Sequence, residues 1–268
     1  MATGVVREMT QHWGLITGAS AGLGQEFARQ LAATGMNLIL VARRAEPMQV
    51  LAGEIKAAHG VEVRVLTADL SRASAPSEIF IYVQQQGIEV DYLINNAGSS
   101  GPNLLDVQDW GEYQAYLDLM MTSVAGLCHY FIPPMRERGF GRVLNVASVA
   151  GQISAADDYS YGPTKSYLIA LSKTLSASFR GEDVNVLALC PGFTHTDFHA
   201  SKRLTEMKNA TSKMLWYDAD VVVREGLWAL EKGKSEYSSG RVYRYLVPVL
   251  RSWLGRWLLL AFGVDRRR

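Results

Sequence analysis

The residues of this chain best placed to move a proton are Tyr161 and Lys165, four positions apart, with Ser148 thirteen positions before the tyrosine. On a helix the i, i+4 spacing puts both side chains on one face. An ammonium beside a phenol stabilises the phenolate and draws its pKa from about 10 toward neutrality, which would make Tyr161 a general acid/base. A serine hydroxyl next to it can donate to a substrate oxygen and hold that oxygen within reach of the phenol. Such a trio suits a carbonyl and its alcohol, with a nicotinamide to give or take the hydride. Ordinary alternatives exist for each residue: Tyr and Lys at this spacing are common on helices, and a serine after a strand often caps a turn.

A loop with three glycines stands near the other end of the chain, Thr17-Gly18-Ala19-Ser20-Ala21-Gly22-Leu23-Gly24. Glycines at 18, 22 and 24 permit a tight turn, close backbone approach to a pyrophosphate and close helix–sheet packing, while the following helix start offers free N–H groups and positive dipole. A plain tight turn is the structural alternative, and the position between a strand and a helix favours the dinucleotide. Thr17, Gly18, Ser20, Gly22, Leu23 and Gly24 are therefore the expected cofactor contacts. Where an acid would hold the ribose hydroxyls of NAD, the chain has Ala42-Arg43-Arg44. A guanidinium can pair with a 2′-phosphate, so NADP(H) is expected over NAD(H), with Arg43 the main contact and Ser20 a second. Asp69, followed by Leu70, could accept the adenine amino group or cap a helix.

The elements that would position these residues are legible in the periodicity. Short apolar runs at residues 12–16, 37–41, 61–67, 92–95, 142–147 and 185–190 read as six parallel strands. Longer patterns at 23–34, 45–59, 75–86, 110–138 and 160–180 read as helices. Alternation of this kind predicts an α/β fold, a doubly wound parallel sheet of Rossmann-like form, in which ligands bind beyond the carboxyl ends of the strands. No repeat or linker divides the chain, so a single domain over residues 10–240 is expected, with a C-terminal extension at 241–268.

Composition narrows the partners. Lys and Arg number 27 against 26 Asp and Glu, and the net charge of +1 offers no general field for nucleic acid. The charge is nevertheless uneven. From Arg241 onward seven arginines face one acid, Asp265, a balance of +6 that leaves −5 for the preceding 240 residues. Cys128 and Cys190 lie in apolar runs and suit a reducing compartment, with neither a disulfide framework nor a metal-ligand cluster. The stretch MATGVVREMTQHW lacks a signal-peptide core, and no segment reaches the roughly 18 apolar residues of a spanning helix, so a cytoplasmic location is expected.

Taken in order and spacing, residues 17–24, Asn95-Asn96-Ala97-Gly98, Ser148, Tyr161-Gly162-Pro163-Thr164-Lys165 and Pro191-Gly192 resemble the short-chain dehydrogenase/reductase superfamily over roughly residues 10–235. The resemblance implies an oxidoreductase with Ser148, Tyr161 and Lys165 as catalytic residues, Lys165 also gripping the nicotinamide ribose. It implies that Asn95 stabilises the sheet centre, that Ala97 and Gly98 let backbone approach the cofactor, and that Pro191, Gly192 and Thr194 or Thr196 meet the nicotinamide carboxamide. A homodimer or homotetramer through the long helices is implied as well.

One position departs from the family's pattern. Where it usually carries an asparagine supporting a water-mediated proton relay, counting from Pro133 or from Gly98 reaches Met120. Ser123 could substitute if the helix contains a bulge, although the expectation is that it does not. Pro163 also departs, but in a first helical turn it loses no needed N–H.

Residues 193–217, with Phe193, Phe198, Met214, Trp216 and Tyr217, correspond to the family's substrate lid and suggest a bulky apolar or aromatic carbonyl or alcohol. His195 and His199 could touch substrate or stand in solvent. In the extension, residues 243–262 hold Trp253, Trp257 and many leucines; packing on the domain, a dimer contact or peripheral docking to an anionic membrane all fit, while Pro248 and Gly255 argue against one long helix. The reading is an NADP(H)-dependent carbonyl reductase. The rivals are a 3-oxoacyl-thioester reductase, using a basic patch at Lys202, Arg203, Lys208 and Lys213, and a cofactor-binding sensor or scaffold with impaired catalysis.

Overall fold

The computed structural model describes residues 12–153, 157–195 and 215–251, with Leu250 and Arg251 described by backbone only. Its strands are β1 (Trp13–Thr17), β2 (Asn37–Ala42), β3 (Val63–Thr67), β4 (Val90–Asn95), β5 (Gly141–Val146), β6 (Val184–Cys190), β7 (Phe193–Thr194), β8 (Trp216–Tyr217) and β9 (Glu236–Ser238). Seven of them form one parallel sheet in the order β3-β2-β1-β4-β5-β6-β9, and β7 pairs with β8 in a separate two-stranded ladder.

Strands covered on both faces must be apolar on both, which is why they read as continuous hydrophobic runs. Successive residues divide between the faces. Ile16, Leu38, Leu40, Ile94, Leu144 and Leu187 pack against α1 (Gly22–Ala33), α2 (Ala45–His59) and α7 (Ala219–Glu231). Leu15, Ile39, Val41, Leu93, Val143 and Val186 pack against α3 (Ala75–Gln85), α5 (Ser123–Arg138) and α6 (Tyr161–Ser178). The order in which the chain adds strands to the sheet reverses between the parallel neighbours β1 and β4, so their carboxyl ends, at Thr17 and Asn95, open the crevice where such sheets bind ligands.

Three expectations need correction. The sheet has seven strands rather than six: β9, only Glu-Tyr-Ser, pairs with Ala188–Cys190 and carries no apolar run to announce it. The predicted helix at 110–138 is α4 (Trp110–Leu117), a π-helical turn at Asp118–Thr122, and α5. By length and composition that whole stretch could cross a bilayer, against the hydropathy expectation, but Val124, Leu127, Phe131 and Met135 are built into the core. Finally, α8 (Arg241–Arg251) continues through Pro248, whose exposed position leaves the missing backbone bond at the solvent side. Gly255 and the other residues of 252–268 lie outside the described residues.

Candidate active site

The loop after β1 is shaped for close approach. Gly18 has φ +66° and Gly22 +55°. A Cβ on Gly24 would stand 2.2 Å from the Gly18 carbonyl oxygen. No side chain among the described residues caps α1, and its first turn holds no acid, so its leading N–H groups face the crevice with the positive end of the helix dipole. Thr17, expected as a cofactor contact, braces the site. Its hydroxyl donates to the Ile94 carbonyl (3.3 Å) and accepts from the N–H groups of Asn96 (2.9 Å) and Ala97 (3.0 Å), which ties the end of β1 to the end of β4. The Asn96 amide donates to the Thr17 carbonyl (2.9 Å) and completes this brace, a role the sequence reading left unassigned.

Asn95 points the other way, into the sheet. Its amide donates to Asn145 Oδ1 (2.8 Å), and Asn145 donates to the Ser172 hydroxyl (2.9 Å), a buried polar chain that fixes β4, β5 and α6 together. Its side chain is thus a sheet-centre brace.

At the end of β2 both arginines are exposed. Arg44 donates to Ser20 Oγ (3.3 Å), joining two elements of the expected phosphate site, while Arg43 lies toward Asp69. Burial alone would raise the Asp69 carboxyl, but hydrogen bonds from the Ser71 N–H (3.1 Å) and hydroxyl (2.8 Å), with Arg43 and Arg72 nearby, hold it below its ordinary value. Asp69 therefore closes a local turn and caps no helix, since α3 begins only at Ala75. Leu70 beside it is buried.

Ser148, Tyr161 and Lys165 come together. Ser148 follows β5; its hydroxyl accepts from the Ala150 N–H (3.1 Å), starting a short 3-10 turn at Val149–Gln152, and is hydrogen-bonded to Tyr161. The serine thus caps this turn, as its place after a strand suggested. Tyr161 opens α6, where the Asp158 carboxylate accepts from the N–H groups of Tyr161 (2.9 Å) and Gly162 (2.8 Å). Asp158 was not singled out from the sequence, although an acid just ahead of a helical pattern is a capping signal. Pro163 sits in that first turn, where its missing N–H costs nothing. Lys165 is buried, donates to the Val146 carbonyl (2.7 Å) and stands 5.6 Å from the centre of the Tyr161 ring.

The pKa logic differs from the sequence expectation. Burial pushes the Tyr161 phenol up to about 12 despite its bond to Ser148, and Tyr116, Asp158 and Cys190 push in the same direction. Burial also lowers the Lys165 ammonium to about 8. The low-dielectric surroundings outweigh any help the ammonium gives the phenolate, so at neutral pH the protein's own groups hold a protonated phenol beside a largely protonated lysine.

Met120 lies in the π-helical turn, where the sequence count put it. Its sulfur accepts from the Ser99 N–H (3.3 Å), and a Cβ on Gly98 would meet both Met120 Sδ (3.3 Å) and Lys165 Nζ (3.7 Å). The helical bulge that Ser123 would need is present, yet Ser123 gains nothing from it: its hydroxyl donates to the Leu119 carbonyl (2.7 Å) and stays within its own helix. Met120, Tyr113 and Tyr116 form a small apolar cluster with Tyr161 against it, and the Tyr116 hydroxyl bonds Thr164 Oγ1 (3.3 Å).

On the far side, Pro191 and Gly192 follow β6. Thr194 is buried and its hydroxyl donates to the Gly192 carbonyl (3.1 Å). Trp216 stacks on Phe193 and on His195, both at 5.1 Å, so His195 is a stacked ring at the surface rather than a loose loop side chain. Tyr243 from α8 is the largest omission of the sequence reading. Its ring sits where a Gly192 Cβ would be (1.9 Å), and its hydroxyl accepts from the Phe193 N–H (3.2 Å) and donates to the Leu215 carbonyl (2.8 Å). Thr196, Phe198, His199, Lys202, Arg203, Lys208, Lys213 and Met214 lie outside the described residues. Among the described residues no His/Cys/Asp/Glu group could hold a metal.

A glycine-lined cradle, an open helix start and two guanidinium groups fit a nicotinamide dinucleotide, with the Ser–Tyr–Lys trio at one end of the crevice. Comparison with known proteins agrees. The short chain dehydrogenase family profile matches residues 12–207, and the chain belongs to that family of oxidoreductases. It is 29% identical over 191 residues to a 7beta-hydroxysteroid dehydrogenase of Collinsella aerofaciens, covering 71% of this chain and 72% of the relative. It is 32% identical over 228 residues to the 17-beta-hydroxysteroid dehydrogenase type 3 of Rattus norvegicus, covering 83% and 70%. A short-chain dehydrogenase from Sphingobium yanoikuyae, solved in complex with NADPH, superimposes with a TM-score of 0.75 at 26% identity over 96% of each chain.

Proposed function

We propose that this protein is an NADP(H)-dependent carbonyl reductase that interconverts a bulky apolar or aromatic ketone and its secondary alcohol. The observation that carries the reading is the contact of the half-buried Tyr161 with the buried Ser148 and Lys165 beyond the end of β5. When bound, the nicotinamide supplies or accepts the hydride. The protein's own groups do the rest. Ser148 donates to the carbonyl oxygen and holds it beside Tyr161, whose phenol, protonated at neutral pH, gives its proton to that oxygen as charge develops. Lys165 keeps a positive charge next to the phenolate so formed. The protonated phenol favours the reductive direction near neutral pH, and the reverse direction gains as pH rises.

Gly18, Ser20, Gly22, Leu23 and Gly24 would hold the pyrophosphate, Asp69 and Leu70 the adenine end, Ala97 and Gly98 the middle, and Pro191, Gly192, Thr194 and Thr196 the carboxamide. The preference for NADP(H) rests on Arg43, with Arg44 and Ser20 beside it and no carboxylate following β2; NAD(H) is the weaker cofactor. An apolar substrate suits Phe193, Trp216 and Tyr116, and two of the matched relatives are named for hydroxysteroids, which are bulky and apolar. The unit carrying this chemistry spans residues 10–240, works as a homodimer or homotetramer and is cytoplasmic, consistent with two buried cysteines that form no disulfide. The assembled Ser148–Tyr161–Lys165 trio argues against a sensor or scaffold without catalysis.

The test is a panel of bulky ketones and alcohols with each cofactor, read by the absorbance of the reduced nicotinamide. Tyr161→Phe should cost on the order of 10³-fold or more in turnover while still binding NADPH. Retained turnover in that variant on a substrate of the wild type would overturn the mechanism.

A further inference from the structure

Two tyrosines of α4 reach the first turn of α6 through their hydroxyls. Tyr113 and Tyr116, one turn apart, are buried with Met120 in the small apolar cluster against which Tyr161 packs. The Tyr116 hydroxyl lies 3.3 Å from Thr164 Oγ1, and the Thr164 hydroxyl itself donates to the Tyr161 carbonyl (2.9 Å). With the threonine proton committed to that carbonyl, Tyr116 is the donor between the two hydroxyls. Burial raises the Tyr116 phenol to about 12, so it keeps the proton it donates at neutral pH. Tyr113 works one residue earlier. Its oxygen accepts from the Ser160 hydroxyl (3.4 Å), which in turn accepts from the Leu104 N–H (2.9 Å).

Packing alone asks for neither hydroxyl. Phenylalanine would fill the same volume in this cluster, and a hydroxyl taken out of water costs free energy unless it is bonded. Both are bonded, one to the residue before Tyr161 and the other to the residue that holds the carbonyl of Tyr161. The Tyr116 ring is fixed as well: Gly101 has φ +61°, and a Cβ there would stand 2.1 Å from the ring, so the connection between β4 and α4 lies directly on it. Tyr161 needs such holding, because it is the first residue of α6 and no earlier helical turn supports it. Asp158 holds its N–H, and the Tyr116–Thr164 pair holds its carbonyl. Proton transfer is intolerant of displacement, and a shift of about 1 Å costs on the order of a hundredfold in rate.

We propose that Tyr116, assisted by Tyr113, is a positioning residue for Tyr161: its hydroxyl, acting through Thr164, holds the first turn of α6 so that the phenol stands within proton-transfer reach of the substrate oxygen. Its effect on turnover rests on the function proposed above; the hold on Tyr161 does not.

The test begins with Tyr116→Phe, which keeps the ring and removes the hydroxyl. It should lower kcat roughly tenfold, a part of the penalty for a full ångström, with KM and the Kd for NADPH within about twofold of the wild type. The double variant Tyr116→Phe, Thr164→Val should lose no more than the larger of the two single losses, since both break one chain of bonds. An unchanged kcat, or a loss confined to KM, overturns the proposal, as do additive losses in the double variant. A kcat loss that vanishes on cooling in step with the folded fraction would show an effect of stability alone and would overturn it too. The second readout needs no substrate. In the full chain carrying isotope-labelled tyrosine, the NMR resonance that Tyr161→Phe removes should shift or broaden in Tyr116→Phe, and an unmoved resonance overturns the hold. If the wild type turns over no ketone, the proposed function fails, and this resonance still decides the positioning.

Discussion

Replacing Lys165 with methionine should change the pH dependence of stability in a way that follows from the burial of its ammonium. In the unfolded chain the lysine titrates near 10.5, and in the folded protein desolvation lowers it to about 8. Below pH 8 the group is charged in both states, so the folded protein carries the full cost of the buried charge, roughly 3 kcal/mol at about 1.4 kcal/mol per pH unit. Between about pH 8 and 10.5 the unfolded chain binds more protons than the folded one, so wild-type stability gains from this group as pH rises, until the cost is gone. Methionine fills a similar volume without charge and never carries that cost. It does leave the Val146 carbonyl without the 2.7 Å donor, a loss of about 1–3 kcal/mol at every pH. Lys165→Met should therefore be as stable as the wild type or more so at pH 7, and less stable near pH 10.5, with the difference between the two proteins moving by roughly 3 kcal/mol. Tyr161, protonated in both states at pH 7, adds no cost there, and the tyrosines common to both proteins largely cancel in the comparison. Urea unfolding of both at a series of pH values measures this. A difference that does not change with pH would show that Lys165 is not buried as a charge, and the account of the site's electrostatics would fall with it.

Arg43→Ala should weaken NADPH by roughly ten- to a hundredfold and NADH little, in a fluorescence titration, as expected for one charge-assisted contact to a phosphate; equal losses for both would remove the basis for the cofactor assignment. Arg44→Ala, which also frees Ser20, should show a similar but smaller bias. Met120→Asn should leave turnover unchanged or raise it, because the site already operates with a thioether on the Ser99 N–H, and abolished activity would mean that position 120 does not face the relay. Gly192→Ala should cost about 1–3 kcal/mol in chemical denaturation, since its methyl would lie 1.9 Å from the Tyr243 ring, and Tyr243→Ala should absorb most of that cost in a double-mutant cycle.

The parts of the fold that could be read in advance are those where burial on both faces forces an unbroken apolar run, as in β2 and β6. The glycine loop was legible for a related reason: close backbone contact at Gly18 and Gly24 excludes a side chain, and only one residue type records that. What stayed hidden has a physical cause in each case. β9 is three polar residues held at a sheet edge by the Ala188–Cys190 backbone, so hydropathy is silent about it. The π-helical turn changes one hydrogen-bond register without changing composition. Tyr243 reaches Gly192 only because α8 folds back over the end of β6, a contact between residues far apart in sequence. The rise in the Tyr161 pKa depends on how deeply α6 is buried, whereas spacing from Lys165 indicates only who stands beside the phenol.

The extra residue accommodated at Asp118–Thr122 also sets a phase. Each residue of an α-helix turns the next by about 100°. Removing one residue from that wide turn would let the backbone relax into regular winding, but everything upstream would then rotate by about that angle relative to α5. Tyr113 and Tyr116 would swing off the Tyr161 wall while the downstream half kept its seat on β4. The bulge thus acts as an angular offset between two halves of one rod, so insertions and deletions here would reshape the wall of the pocket far more than most single substitutions.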